Sequence, residues 1–207
     1  TWFHPTVDIQ RADPTTEGAE RSFAIKPKAD VILPGDLIHV DIGITYLRLH
    51  TDIQQHAYLL KPSETDVPTS IQNAFNKANR LQDILTMQFK VGKTGNQILA
   101  GALAQAKKED ITASIYSHPI GYHGHAAGPA IGMWDNQGKV VGTGDQIVRK
   151  NTAYSIELNA SSMIPEWKKS IRIMLEEDAF FDGETVRYID GRQKRIYPIP
   201  RPSSYNQ

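Results

Sequence analysis

Two kinds of apolar spacing divide the chain. Gly35–Leu60 (GDLIHVDIGITYLRLHTDIQQHAYLL) is dominated by Val, Ile, Leu, Tyr and Thr, the residues that favour strands. It reads as two extended runs with a short break around Thr45–Leu47, entered through a turn at Pro34-Gly35. From about Pro68 to Gln88 the period lengthens. Ile71, Phe75, Ala78, Leu81, Ile84 and Leu85 then fall on one stripe, which predicts an amphipathic helix. Val91–Asn96 interrupts it. Thr94 with Gln97 three residues on predicts a capping box and a second helix to about Lys108. Trp2–Gln10 reads as a strand with a proline near its start, and Arg11–Arg21 as an exposed polar loop. Tyr116–Gly132 is rich in Gly, His and Ala and has no period. Beyond a loop around Asp135–Asp145, strands are expected at Thr152–Asn159 and Ile171–Phe181. Asp190-Gly191 predicts a hairpin between Val186–Ile189 and Arg192–Ile199. Pro198, Pro200 and Pro202 close the chain in a stiff tail. There is no solenoid repeat and no shift of composition, so residues 1–207 read as one α+β domain.

Composition narrows the chemistry. The chain is 40% hydrophobic, enough for a packed core. Its 23 basic and 23 acidic residues cancel, which argues against a nucleic-acid or anionic-membrane partner. Cysteine is absent, so any metal must be held by oxygen and imidazole. No run has the length of a transmembrane helix and no signal-peptide pattern opens the chain. A cytoplasmic protein is expected.

The ionisable residues are less ordinary. Asp41 and Asp52 lie eleven positions apart in the two strand runs. A hairpin about Tyr46–Leu47 would set them opposite each other. Two carboxylates so close in a half-buried sheet repel, and one must protonate unless a cation lies between them. The plainer reading makes one a turn residue and the other solvent-facing. HPIGYHGH (118–125) carries three histidines among glycines, though it could be only a surface loop. Glu157 stands mid-strand in YSIELNA, where an edge strand could turn it outward. In LEEDAFF, Ile171, Ile173 and Leu175 share one face and Glu176 the other, with Glu177 left on the aliphatic side. Alternatively, 176–178 marks a strand end. Taken together, four carboxylates are neutralised by two divalent ions, and the donor set suits Mn²⁺, Co²⁺, Fe²⁺ or Zn²⁺. Paired ions of this kind lie roughly 3.5–4 Å apart with a water or hydroxide between them.

The succession Asp41 in HVDIG, Asp52 in HTDIQQ, His118 in SHPIG, Glu157 in SIELN and Glu176 in LEEDA resembles the pita-bread metallopeptidases. These are the methionine and Xaa-Pro aminopeptidases, prolidases and creatinase-like relatives, and the resemblance runs from about Val31 to Phe181. It implies a curved, mostly antiparallel sheet backed by helices, and a peptidase that removes an N-terminal residue or cleaves Xaa-Pro bonds. It also implies the roles of the residues. Asp41 binds one metal, His118 and Glu157 the other, and Asp52 and Glu176 bridge. A metal-bridging hydroxide attacks, Glu157 shuttles the proton, and His125 meets the substrate carbonyl. The partner implied is a peptide, and a homodimer is compatible with the family. This chain departs from the pattern at Ala126, where the family often has Glu, at Ser114, and at Phe23 and Ala24, where a histidine is usual. His4 is a candidate stand-in for that histidine. The helical opening of the fold and any separate N-terminal domain are expected to be missing before Trp2. Two rivals stand beside this reading. A non-catalytic pita-bread module that binds peptide or protein would typically have lost metal ligands, and a creatinase-like hydrolase would work without them. This chain keeps all five.

Overall fold

The stripe at residues 71–85 becomes the centre of the core. In the computed structural model, which describes residues 1–12, 31–125 and 127–200, it forms helix α1 (Thr69–Thr86), and all six stripe residues are fully buried. Each large one contributes roughly 1.5–3 kcal/mol by leaving water. Helix α2 (Gly95–Lys108) starts at the predicted capping box: Gln97 N donates to Thr94 Oγ1 and Thr94 N to Gln97 Oε1. The loop predicted for residues 11–21 lies mostly outside the described residues, as do Phe23, Ala24, Ala126 and Pro202.

The strands are β1 (Thr6–Gln10), β2 (Leu37–Ile42), β3 (Thr45–Tyr46), β4 (Leu49–His50) and β5 (Ile53–Leu59), then, after the helices, β6 (Thr112–Ile115) and β7 (His118–Pro119). The last group is β8 (Thr152–Ser155), β9 (Leu158–Ile164), β10 (Lys169–Leu175), β11 (Asp178–Phe181), β12 (Val186–Tyr188) and β13 (Tyr197–Ile199). They form sheets ordered β1-β2-β5-β13, β10-β9-β6 and β12-β11-β8-β7, with β3-β4 as a separate hairpin. All pairs are antiparallel except β5 with β13. Helix α1 packs across β9 and β10, and α2 beside it on β6. Among the described residues no helix is long and apolar enough to cross a membrane.

Four sequence expectations are corrected. The strand at the N-terminus is Thr6–Gln10, shorter than Trp2–Gln10. The first hairpin turns at Leu47–Arg48, both at positive φ (48° and 68°), one residue later than expected. Moving a turn by one residue moves each partner by two, so Asp41 pairs with Gln54 rather than Asp52. Asp52 stays on the same face because the side-chain period is two. The third correction concerns Glu157. Thr152–Asn159 and Ile171–Phe181 each break in two, and Glu157 and Glu176 lie at the breaks. The β8–β9 and β10–β11 arms nevertheless keep one register, with Ser155 opposite Asp178 and Leu158 opposite Leu175. Ile156 N donates to Glu177 O across the gap. Finally, Asp190-Gly191 closes no hairpin. β12 pairs back on β11, and the following chain crosses to lie parallel to β5. Gln193 fixes that crossing through hydrogen bonds to the backbone of His56 and Arg195.

Candidate metal centre

Three sheet segments converge on one point. β2 carries Asp41, and Asp52 stands just before β5. The short strand β7 carries His118, and the paired breaks of the β8–β11 ribbon carry Glu157 and Glu176. A backbone bond from Gln54 N to Glu176 O, 3.0 Å, stitches β5 to the ribbon at that level. Ligand atoms of Asp41, Asp52 and Glu176 lie within 4.8 Å of one another, as do those of His118, Glu157 and Glu176, and those of Asp52, His118 and His125. The structure thus brings together all six residues singled out in the sequence, with Asp52, His118 and Glu176 each common to two groups.

The electrostatics of this cluster are unbalanced. Burial, with Glu176 and Asp41 beside it, pushes Asp52 up to about 9. Asp41 is pushed up to about 6 by burial and then by Glu176. Burial and the same neighbours hold Glu157 well above the usual carboxylate range. Asp178 touches the cluster from behind, accepting from Asp52 N at 3.3 Å, and burial takes it to about 7. Acids crowded this way must hold protons unless cations replace them.

Whether the residues fit a metal is decided by their unpaired atoms. His118 Nδ1 lies 3.1 Å from Pro119 O, so that nitrogen carries the proton. In the neutral ring Nε2 is then a lone-pair donor. It lies 3.6 Å from Glu176, 3.9 Å from Asp52 and 4.0 Å from Glu157, and it is buried with no hydrogen-bond partner. Asp41 Oδ1 is buried and unpartnered too. An imidazole lone pair pointing at carboxylates repels them, whereas a cation between them satisfies both. This is the arrangement of a metal-ligating histidine whose other nitrogen is fixed by a carbonyl. The residues fit divalent ions.

His125 occupies the rim, with its side chain 59% exposed and Nε2 3.7 Å from Asp52. Desolvation, then His118, holds it below the usual imidazole value. His4 is exposed ahead of β1 and belongs to none of the three groups. Trp2 is the N-terminal residue that reaches the site. Its ring meets His125 edge-on at 5.2 Å, and its Nε1 donates to Thr51 O at 2.7 Å. A Cβ at Gly43 or Gly124 would run into that indole, so both glycines are cradle residues. Sequence reasoning missed Trp2 and Asp178. It gave Gln54 no part. No local pattern marks Trp2, whereas the alternation Asp52, Gln54 already pointed Gln54 inward.

Comparison with known proteins places these observations. The model of the family described as metallopeptidase family M24 matches residues 15–179. A comparison with curated proteins found no match. Among solved structures, the chain is similar to X-Pro aminopeptidase from Thermotoga maritima (20% identity, TM-score 0.66, covering 96% of this chain and 49% of that one). It is similar also to methionine aminopeptidase from Rickettsia prowazekii (14%, 0.56, 76% and 65%). A third is the N-terminal domain of FACT complex subunit SPT16 from chickpea (14%, 0.61, 94% and 44%). At such identities these likenesses establish the fold. The chain spans about half the length of the first of them, 49%.

Proposed function

The chain belongs to metallopeptidase family M24 and has the pita-bread fold, and from that premise we propose a dinuclear peptidase that removes an N-terminal residue or cleaves an Xaa-Pro bond. Asp41, Asp52, His118, Glu157 and Glu176 would hold two divalent ions, with Asp52 and Glu176 shared between them. When bound, such ions supply Lewis-acid polarisation of a carbonyl and lower the pKa of water toward neutrality. A carboxylate-rich set with one imidazole suits Mn²⁺, Co²⁺ or Fe²⁺ as well as Zn²⁺.

The chain's own groups divide the remaining work. Glu157 is half-buried with its carboxyl facing the cluster, which places it to take a proton from attacking water and hand it to the departing amine. His125 is neutral at the rim and can donate a hydrogen bond to the scissile carbonyl oxygen as charge develops there. Trp2 meets the His125 ring edge-on.

One observation carries this reading: the lone pair of His118 Nε2, buried among three carboxylates without a hydrogen bond. The test is hydrolysis of Met-, Ala- and Xaa-Pro peptides with Mn²⁺ or Co²⁺ supplied. Release of the N-terminal residue is expected, with Asp52→Ala at least roughly a hundredfold slower, beyond the range for outer-shell partners. An Asp52→Ala protein as fast as its parent would remove the mechanism. The likeness to a subunit named for its complex favours one alternative, a module that binds peptide or protein without cleaving it. Such a module should show no tight site when titrated with Mn²⁺.

A further inference from the structure

Gln54 is 2% exposed and stands between the two halves of the candidate metal centre. Its backbone pairs with Asp41 on one side and bridges to Glu176 on the other. Its side-chain Nε2 donates to Glu176 Oε2 at 2.7 Å and to Glu157 Oε1 at 3.0 Å. Its Oε1 faces His39 Nε2 at 2.9 Å. We propose that Gln54 is a positioning residue for the metal centre: its amide sets the spacing and orientation of the Glu157 and Glu176 carboxylates, and His39 holds the amide the right way round. This rests on the dinuclear reading above and deepens it.

The chemistry selects this residue type. Two carboxylates on one site need two donors held in a fixed fork, and a primary amide has two. A Ser or Thr hydroxyl has one proton and could serve only one carboxylate. A Lys or Arg would bring a positive charge into a site whose four carboxylates match two divalent ions, and so would compete with the ions. The amide spends no charge. Each glutamate gives one oxygen to Gln54 and turns the other, Glu157 Oε2 or Glu176 Oε1, toward His118 Nε2. Ser155 Oγ reinforces the second of these by donating to Glu176 Oε1.

An amide can be inserted either way round, and the wrong way would aim its oxygen at two carboxylates. His39 decides the matter. With its proton on Nε2 it donates to Gln54 Oε1, which leaves both N–H groups for the acids. The ring of His39 is buried, packed 5.1 Å from that of His56, and its Nδ1 faces Asp8 on β1 at 3.8 Å. The chain of hydrogen bonds therefore runs from His39 on β2 through Gln54 on β5 to the ribbon breaks.

The experiment compares the parent chain with Gln54→Met, which keeps the length of the side chain and removes both donors. Mn²⁺ is titrated by calorimetry, and the spin coupling of the bound ions is followed by electron paramagnetic resonance. The parent should take up two ions. Gln54→Met should bind them about tenfold to a hundredfold more weakly, the range for lost outer-shell partners, with an altered coupling signal. The metal-free Gln54→Met chain should melt lower, because His39, Glu157 and Glu176 each lose a buried partner, so the two affinities are compared below both melting temperatures. Equal affinity and an identical signal would overturn the inference while leaving the peptidase reading intact. A parent chain that takes up no Mn²⁺ would overturn both. If Gln54→Met does not fold, the parent labelled with ¹⁵N-glutamine decides. The Gln54 side-chain NH₂ should be protected from exchange and shift on adding Zn²⁺, and an NH₂ exchanging as freely as a surface glutamine's would sink the proposal.

Discussion

Glu176 and Glu177 are adjacent, both are buried, and their surroundings differ in kind. Glu177 accepts from Gln55 Nε2 at 3.0 Å and from the backbone of Gln193 at 2.8 Å, with Arg192 nearby. Burial still raises it to about 7, but those donors hold it back. Glu176 accepts from Gln54 and Ser155, yet it also meets Asp41, Asp52, Glu157 and an imidazole lone pair. The alternation of β5 supplies one glutamine to each acid, Gln54 on one face and Gln55 on the other. The histidines divide in the same way. His56 is fully buried, with Nδ1 against Ile38 O and Nε2 against the Met174 backbone, and burial lowers it to about 3. It is a neutral core residue. His118 keeps one nitrogen unpaired. A buried acid or histidine is thus not in itself a site. The mark of a site is a surplus of acceptors over donors, which bound protons or an added cation must correct.

The largest expected effect separates the two acids by what each one changes. Glu176→Ala should cost at least roughly a hundredfold in turnover and lower the number of ions bound, measured by peptide hydrolysis and elemental analysis. Glu177→Ala should leave turnover per folded molecule near the parent's. It should instead destabilise by roughly 1–3 kcal/mol in calorimetry, because the Gln193 N–H and the Gln55 amide lose a buried acceptor. If both variants lost turnover equally, the division between a closed and an open side would be wrong.

A smaller effect concerns pH. Asp52 and Asp41 are raised from 3.8 to about 9 and about 6. Without metal the folded chain therefore keeps protons that the unfolded chain has already released. Stability falls wherever the folded state binds more protons and the pH rises, so the metal-free protein should melt progressively lower from about pH 4 to about pH 9. Asp178 and Glu177, each near 7, act in the same direction over the lower part of that range. Bound Mn²⁺ replaces the protons and stabilises the native state, so the gain in melting temperature on adding it should grow with pH. Scanning calorimetry at pH 5, 7 and 9, with and without Mn²⁺, reads this directly. A metal-free protein that melts higher at pH 9 than at pH 5 would contradict the crowding of these acids.

How much of this was legible beforehand depends on whether the cause was local. The stripe on α1 and the Thr94–Gln97 cap follow from spacing alone, and both formed. The family and fold were legible because five chemically distinctive residues recur in order. The breaks at Glu157 and Glu176 were hidden because the ribbon keeps one register through them, so the strand pattern runs on uninterrupted. Asp190-Gly191 misled because tertiary partners overrode a good turn: β12 had β11 to pair with, and Gln193 was drawn to the His56 backbone. Glu177 was flagged as hard to place on the aliphatic side. Its accommodation came from Gln193, sixteen residues on, which no periodicity could supply.

The smallest expected effect tests whether the Glu177 side is as closed as its hydrogen bonds suggest. Glu177→Gln keeps the shape and one acceptor, which can still serve the Gln193 N–H. The Gln55 amide must then turn to find its partner. A loss within about 1 kcal/mol at neutral pH follows, the net value of one neutral hydrogen bond. The variant no longer titrates, whereas the parent's Glu177 rises from 4.5 to about 7 on folding. The parent therefore loses stability through that window and the variant does not, so the difference between them should move in the variant's favour as pH rises from about 4.5 to about 7. Urea unfolding at several pH values measures it. A difference that stayed flat would mean that the Gln55 and Gln193 donors already hold Glu177 ionised at its ordinary value, and a difference of opposite sign would mean that Arg192 makes a stronger pair with it than the geometry implies.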